Sequence, residues 1–243
     1  MKKREDAYGR EVYDHFKNGT GYEIVERDDG YVDISSGPSA YFTEYRDWGP
    51  HLKKAISHAK GRVLDVGCGA GRHSLYLQRK GHEVLAIDAS PLAARVARSR
   101  GVRKVKVMSV TKVSRRLGTF DTIVMFGNNF GLFGSRRRAR WLLGRFGAIT
   151  GEDARIIVES CDPYRTTARY HLDYHRLNRR RGRMSGQTRL RVRYQTYATP
   201  WFDYLLVSPD EMKQLLEGTS WRVAKIFRSR GPAYSAVIEK LRS

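Results

Sequence analysis

The sequence predicts an α/β fold: a mostly parallel sheet with an antiparallel edge strand, an N-terminal cap and a basic insertion after the fifth strand. Three observations predict it. From Arg62 onward short β-type runs alternate with longer helical ones, the chain closes on two adjacent strand-like runs, and two segments stand outside that alternation. The runs are "RVLDVG" then "GRHSLYLQRKG", and "EVLAID" then "SPLAARVARSRG". "VRKVKVM" follows, then "DTIVMFG", the helical "SRRRARWLLGRFGAIT" and "ARIIVES". Strands alternating with helices imply right-handed βαβ units. "SPDEMKQLLEGTS" reads as a further helix, with Ser208 as N-cap and Pro209 in its first turn. The closing runs "WRVAKIF" and "YSAVIEKL" form the antiparallel edge. Residues 1–60 are rich in aromatics and turns and are expected to cap one end of the sheet. Residues 61–161 and 208–243 make the core domain, and 162–207 the insertion.

At 243 residues, 40% of them hydrophobic, the chain is long enough for one sizeable core and an appendage. Its 46 Lys+Arg against 25 Asp+Glu give a net charge of +21 and a pI near 10.3. Most cations then lack an acidic partner, and charge of that size points to an anionic partner, nucleic acid first. Two cysteines, Cys68 and Cys161, form neither a CxxC pair nor a cluster at metal-ligand spacing, so no disulfide framework or metal site is expected. No apolar run has signal-peptide character or approaches the ~18 residues of a membrane span. A cytoplasmic protein is expected, with no membrane contact and a monomer favoured.

"VLDVGCGAG" sets Asp65 in the first strand of the alternation and Gly67, Gly69 and Gly71 in the turn that opens a helix. Small residues there let backbone approach a ligand closely, at the sheet edge where open α/β folds bind ligands. About twenty residues on, Asp88 closes the next strand, where a carboxylate can accept the hydroxyls of a ribose. A pyrophosphate binder needs G-x-G-x-x-G; here the pattern is D-x-G-x-G-x-G. A carboxylate at Asp65 repels phosphate but suits the sulfonium and amino group of S-adenosylmethionine. The segment resembles motif I of the class I S-adenosylmethionine-dependent methyltransferases, which have a Rossmann-like sheet. The resemblance implies that the three glycines line the methionine moiety and that Asp88, with Ala89 beside it, holds the ribose. Many members of that class carry an acid after the third strand to meet adenine; "VMSVTK" offers Ser109 or the backbone at Val110 instead. Gly127, after the fourth strand, completes the expected cofactor set.

"GNNFG" follows the fourth strand and is expected at the reaction centre. Asn128-Asn129-Phe130 resembles the Asp/Asn/Ser-Pro-Pro-Tyr/Phe motif of methyltransferases acting on exocyclic amines of bases, with both prolines replaced. Such an amine is a poor nucleophile because its lone pair is conjugated with the ring. An amide oxygen and a backbone carbonyl accepting its N–H bonds favour a more tetrahedral nitrogen, and an aromatic face holds the base by stacking, worth ~1–3 kcal/mol. Asn128 is the expected acceptor and Phe130 the stacking face, while which asparagine points at the base stays open. The plainer alternative is a tight turn in the left-handed region. Cytosine carbon-5 chemistry needs a thiolate pair; Cys161 follows the fifth strand, but the second cysteine of that pattern is absent. "DPY" at Asp162-Pro163-Tyr164 starts the insertion, and Tyr164 is a candidate to reach the acceptor.

The insertion carries ten arginines between Arg165 and Arg193 against one acid, Asp173. Tyr164, His171, Tyr174 and His175, together with Arg179, Arg180, Arg181 and Arg183, mix stacking and phosphate-binding groups as RNA surfaces do. Arg136, Arg137, Arg138, Arg140 and Arg145 are expected to extend the track. Across nearly its full length the chain is similar to a group of class I methyltransferases from archaea and bacteria. The archaeal members imply dimethylation of N4 of a cytidine in small-subunit ribosomal RNA, with the small subunit as partner. Two alternatives stand beside this: a small-molecule or protein N-methyltransferase, and a non-catalytic RNA-binding assembly factor of the same fold.

Overall fold

The computed structural model describes residues 3–35 and 37–241. The chain divides into two compact units, residues 1–48, 64–112 and 189–202 in one, and 49–63, 113–188 and 203–243 in the other.

In the first unit, α1 (Ala7–Asn18) is followed by the paired strands β1 (Glu23–Arg27) and β2 (Val32–Ser35). The strand β3 (Arg62–Val66), shared with the second unit at its start, leads into α3 (Arg72–Arg79), and β4 (Glu83–Asp88) into α4 (Pro91–Ser99) and β5 (Val105–Val107). β4 is buried from Val84 to Asp88, as a continuous apolar run in a parallel sheet requires, and it pairs with β5 in parallel. Ser90 caps α4, its hydroxyl accepting from Ala93 N at 2.9 Å, and Pro91 takes the first helical position. Val12 of α1 packs with Ala70 and Val96, which fastens α1 over the glycine loop.

The second unit holds α2 (Pro50–Ile56), β6 (Phe120–Met125), α5 (Arg136–Gly147), β7 (Thr150–Cys161), α6 (Arg169–Arg180), α7 (Pro209–Leu216), β11 (Trp221–Arg228) and β12 (Ala233–Lys240). β6 and β7 run parallel, whereas β7, β12 and β11 are antiparallel neighbours, the expected edge. α5 buries Ala139, Leu142, Leu143 and Phe146, the i, i+3, i+4, i+7 stripe of an amphipathic helix. α7 begins at the predicted Ser208, which forms a capping box with Glu211. The seven-stranded order is β11-β12-β7-β6-β3-β4-β5, and a second sheet runs β10-β8-β1-β2, where β8 is Gln187–Tyr194 and β10 Phe202–Leu205; β9 (Tyr197–Ala198) pairs with β8. The α/β fold with a mostly parallel sheet and an antiparallel edge is therefore the one the sequence predicts.

The expected partition is not. Residues 1–48 belong with the glycine-loop half because β1 pairs with β8 and α1 packs on α4. The segment 162–207 is no separate body: 162–188 and 203–207 fall in the second unit and 189–202 in the first. Hydrogen bonding of β8 to β1, 169 residues apart at Ile24 and Arg193, lies outside any local pattern. No helix among the described residues is long and apolar enough to cross a membrane.

Candidate active site

In the first unit the loop after β3 is fixed from below by β4. Gly67 N and Cys68 N donate to Ile87 O at 2.8 and 3.1 Å, and Gly69 N donates to Asp88 Oδ2 at 2.8 Å. Gly69 has φ +53, and a Cβ there would lie 2.6 Å from the Tyr8 hydroxyl. Gly71, at φ +82, ends the loop and opens α3; a Cβ there would meet Val102 Cγ2 at 2.6 Å. These glycines are thus required by backbone conformation and by close approach. Asp88 Oδ1 accepts from Ser90 N at 2.8 Å. The Ala89 N–H adds a third backbone donor to this carboxylate, whose two oxygens offer about four acceptor sites, so capacity for a ligand donor is left. Burial pushes Asp88 up to about 6. A loop that tolerates no side chain, beside a carboxylate with acceptor capacity left, fits the methionine and ribose ends of S-adenosylmethionine.

Other expected cofactor residues take different places. Asp65 is buried, its Oδ2 accepts from the Ser74 hydroxyl, and burial pushes it up to about 6. It ties β3 to α3. Ala89 is exposed beside Asp88. The Ser109 hydroxyl is paired with Thr111 Oγ1 at 3.0 Å, and Val110 opens the short turn Val110–Lys112. Gly69→Ala is expected to weaken S-adenosylhomocysteine binding about tenfold in isothermal titration. Adding Tyr8→Phe restores part of the loss, because the hydroxyl clash goes and the positive φ stays.

In the second unit β6 ends in the stretch "GNNFG". Gly127 and Asn128 both have positive φ, +71 and +60, so the turn reading is correct as geometry. The turn is held from β7: Glu159 Oε2 accepts from Gly127 N at 2.6 Å and from Asn128 N at 3.3 Å. Glu159 Oε1 lies 3.3 Å from His51 Nε2, and both side chains are buried. The Asn128 carbonyl accepts from the Tyr204 hydroxyl at 2.6 Å and from Gly131 N at 2.8 Å. What is left over is the Asn128 side-chain oxygen, buried and without a hydrogen-bond partner, as is His51 Nδ1. An unsatisfied buried acceptor costs about 1–3 kcal/mol unless a ligand supplies the donor. Asn129, half-buried, opens the turn Asn129–Phe133.

Several expected contacts are overturned. Phe130 is fully enclosed and meets Phe133 edge to face at 4.7 Å, so it is core and offers no stacking face. The backbone carbonyl of Asn128 is taken by the Tyr204 hydroxyl and Gly131 N, which leaves its side-chain oxygen as the acceptor that residue offers. Tyr174 and His175 point inward from α6 at 1% and 7% exposure, sharing that face with Asn178, whose Nδ2 donates to Ser185 O and Gln187 O. Arg138, Arg140 and Arg145 spend their guanidinium groups on the carbonyls of Phe133, Glu217 and Val113. Arg179 donates to Ser185 Oγ, and one Arg183 nitrogen is buried without a partner. Arg180 and Arg181 are exposed, His171 is half-buried against Tyr170, and the exposed Tyr164 donates to Glu211. Burial pushes Cys161 up to about 11, which argues against a thiolate nucleophile.

Glu159, His51 and Tyr204 were not found by sequence reasoning. The signal for Glu159 is its carboxylate at the end of the apolar run "ARIIVES", the same anomaly that marks Asp65 and Asp88.

Residues 63–144 match the family described as methyltransferase domain. The chain is 35% identical over 83 residues to 2-heptyl-1-hydroxyquinolin-4(1H)-one methyltransferase of Mycobacteroides abscessus, covering 31% of this chain and 37% of that protein. It is 26% identical over 155 residues to glycine/sarcosine N-methyltransferase of Aphanothece halophytica, covering 60% of this chain and 55% of that one. The matches thus span from about a third to just over half the length of these curated relatives. Among solved structures, a Bacteroides fragilis S-adenosylmethionine-dependent methyltransferase in complex with S-adenosyl-L-homocysteine aligns with a TM-score of 0.84 at 23% identity, over 99% of this chain and 97% of that one. CcbJ methyltransferase of Streptomyces caelestis aligns at 0.61 and 12% identity, over 98% and 99%. Residues 63–144 thus match a methyltransferase-domain model, and the chain as a whole has the α/β fold seen in solved S-adenosylmethionine-dependent methyltransferases.

Proposed function

We propose that the protein transfers the methyl group of S-adenosylmethionine to an amine nitrogen of a small molecule. The observation that carries this reading is the Asn128 side-chain oxygen, an acceptor with no donor of its own. S-adenosylmethionine supplies an electrophilic methyl carbon. The residues of the chain then align the nucleophile: Asn128 Oδ1 accepts one N–H and so aims the nitrogen lone pair, and Glu159 and Tyr204 hold the turn that carries Asn128. Catalysis of this kind is chiefly positioning in a near-attack geometry. A small acceptor is supported by the enclosed Phe130, Tyr174 and His175, which leaves the expected base-stacking faces inside the core. It is also supported by the relatives, whose names specify a quinolone and glycine or sarcosine.

The net charge of +21 and the exposed Arg180 and Arg181 favour a second reading, N4 of a cytidine in ribosomal RNA. Methyl-labelled S-adenosylmethionine, offered with a small-metabolite extract and, separately, with ribosomal RNA and small subunits, decides between them. Label in an extract amine is the expected result. Label recovered as methylated cytidine overturns the small-molecule reading in favour of the second.

A further inference from the structure

Among the described residues, the first unit holds two buried carboxyl groups, Glu11 and Glu23, on which no cation acts. Glu11, on the buried side of α1, is fully enclosed; no N–H or O–H donor other than a proton shared with the Glu23 carboxyl reaches its oxygens. Glu23 opens β1, and the Tyr41 hydroxyl donates to its Oε1 at 3.1 Å. Burial first, and then Glu23, pushes Glu11 up to about 10; burial raises Glu23 as well. The other ionisable groups acting on these two are Tyr41 and Asp33, with Tyr8 close by under the influence of Asp88. None of them is a cation, in a chain with 46 lysines and arginines.

An apolar pair at these positions would be the cheaper choice for folding, because two buried carboxyls that share a proton and have no cation beside them cost free energy. The cluster also has an address. Tyr8, one turn before Glu11 on α1, puts its hydroxyl against Gly69 of the cofactor loop. We propose that Glu11 and Glu23, with the Tyr41 hydroxyl, form a binding site for an organic ammonium group beside the glycine loop.

Two sources share that chemistry: the α-amino group of the cofactor, in which case the site deepens the methyltransferase reading, and a free amine. In either case the ammonium replaces the proton that the pair holds at pH 8, and that proton passes to the buffer. Isothermal titration in two buffers of different protonation enthalpy counts it. S-adenosylhomocysteine is expected to release about one proton. 5′-Methylthioadenosine, which has no amino-acid end, is expected to release none. Glu11→Gln, which keeps the shape of the neutral acid, abolishes the release and weakens S-adenosylhomocysteine about tenfold, with 5′-methylthioadenosine unchanged.

If S-adenosylhomocysteine releases no proton but methylamine raises the unfolding midpoint at pH 8 in the wild type and not in Glu11→Gln or Glu23→Gln, a free amine is the ligand. If neither probe shows a Glu11-dependent effect, the site is refuted, while binding of S-adenosylhomocysteine without proton release leaves the methyltransferase reading intact.

Discussion

Replacing Asp88 by asparagine lowers S-adenosylhomocysteine affinity by about a hundredfold, the loss expected when charge-assisted hydrogen bonds are removed. The side chain keeps its size, and its remaining oxygen can still accept from Gly69 N or Ser90 N, so the fold survives. What disappears is the second negative oxygen and with it the acceptor for one ribose hydroxyl. Acid reproduces the substitution. Burial lifts Asp88 to about 6 in the folded protein, above its value of 3.8 in an open chain, so protonation is favoured in the folded state. The sign follows directly. In the free protein, Asp88 contributes stability that grows as pH falls through 6 and is lost as pH rises, and Asp65 does the same. Cofactor affinity moves the other way, holding above pH 7 and falling below 6, as the carboxylate loses its acceptor capacity. Thermal unfolding with and without S-adenosylhomocysteine between pH 5 and 8 separates the two trends. An affinity for Asp88→Asn within threefold of wild type would remove Asp88 from the cofactor site.

That cofactor half was legible because its parts lie within one βαβ stretch. The apolar run of β3, three glycines and the acid closing β4 constrain each other through bonds such as Gly69 N to Asp88 that join neighbours in the chain. Ser208 and Glu211 were legible for the same reason, as a local cap. The acceptor half depends on pairs that no local pattern connects. His51 and Glu159 are 108 residues apart, and Tyr204 reaches Asn128 across 76. Phe130 read as a stacking face because a residue after a turn carries no mark of which way it faces; the 3-10 turn that follows rolls it inward. The insertion departs from the expectation for a different reason. Tyr174, His175 and Asn178 occupy i, i+1 and i+4, a buried helix face whose polar and aromatic side chains carry no apolar stripe to mark it among the surrounding arginines.

Removing the Glu159 carboxylate tests the acceptor half as a unit. Glu159→Ala leaves Gly127 N and Asn128 N without their acceptor and takes away the partner of His51, so the left-handed turn at 127–128 loses its support. Methyl transfer to the acceptor amine is expected to fall by about a hundredfold or more, from a loss of about 1.5–3 kcal/mol per charge-assisted bond. S-adenosylhomocysteine affinity stays within about twofold, because Glu159 has no part in the loop of Gly67, Gly69 and Gly71. Asn128→Ala removes only the orphan acceptor and costs about tenfold in rate, since one neutral hydrogen bond is lost. If Glu159 acts by positioning Asn128, the double variant is scarcely slower than Glu159→Ala alone: once the turn has lost its shape, the amide no longer has a place from which to aim a lone pair. Full additivity of the two effects would mean that Glu159 serves the reaction by another route, through His51, and the loop-positioning role would have to be given up.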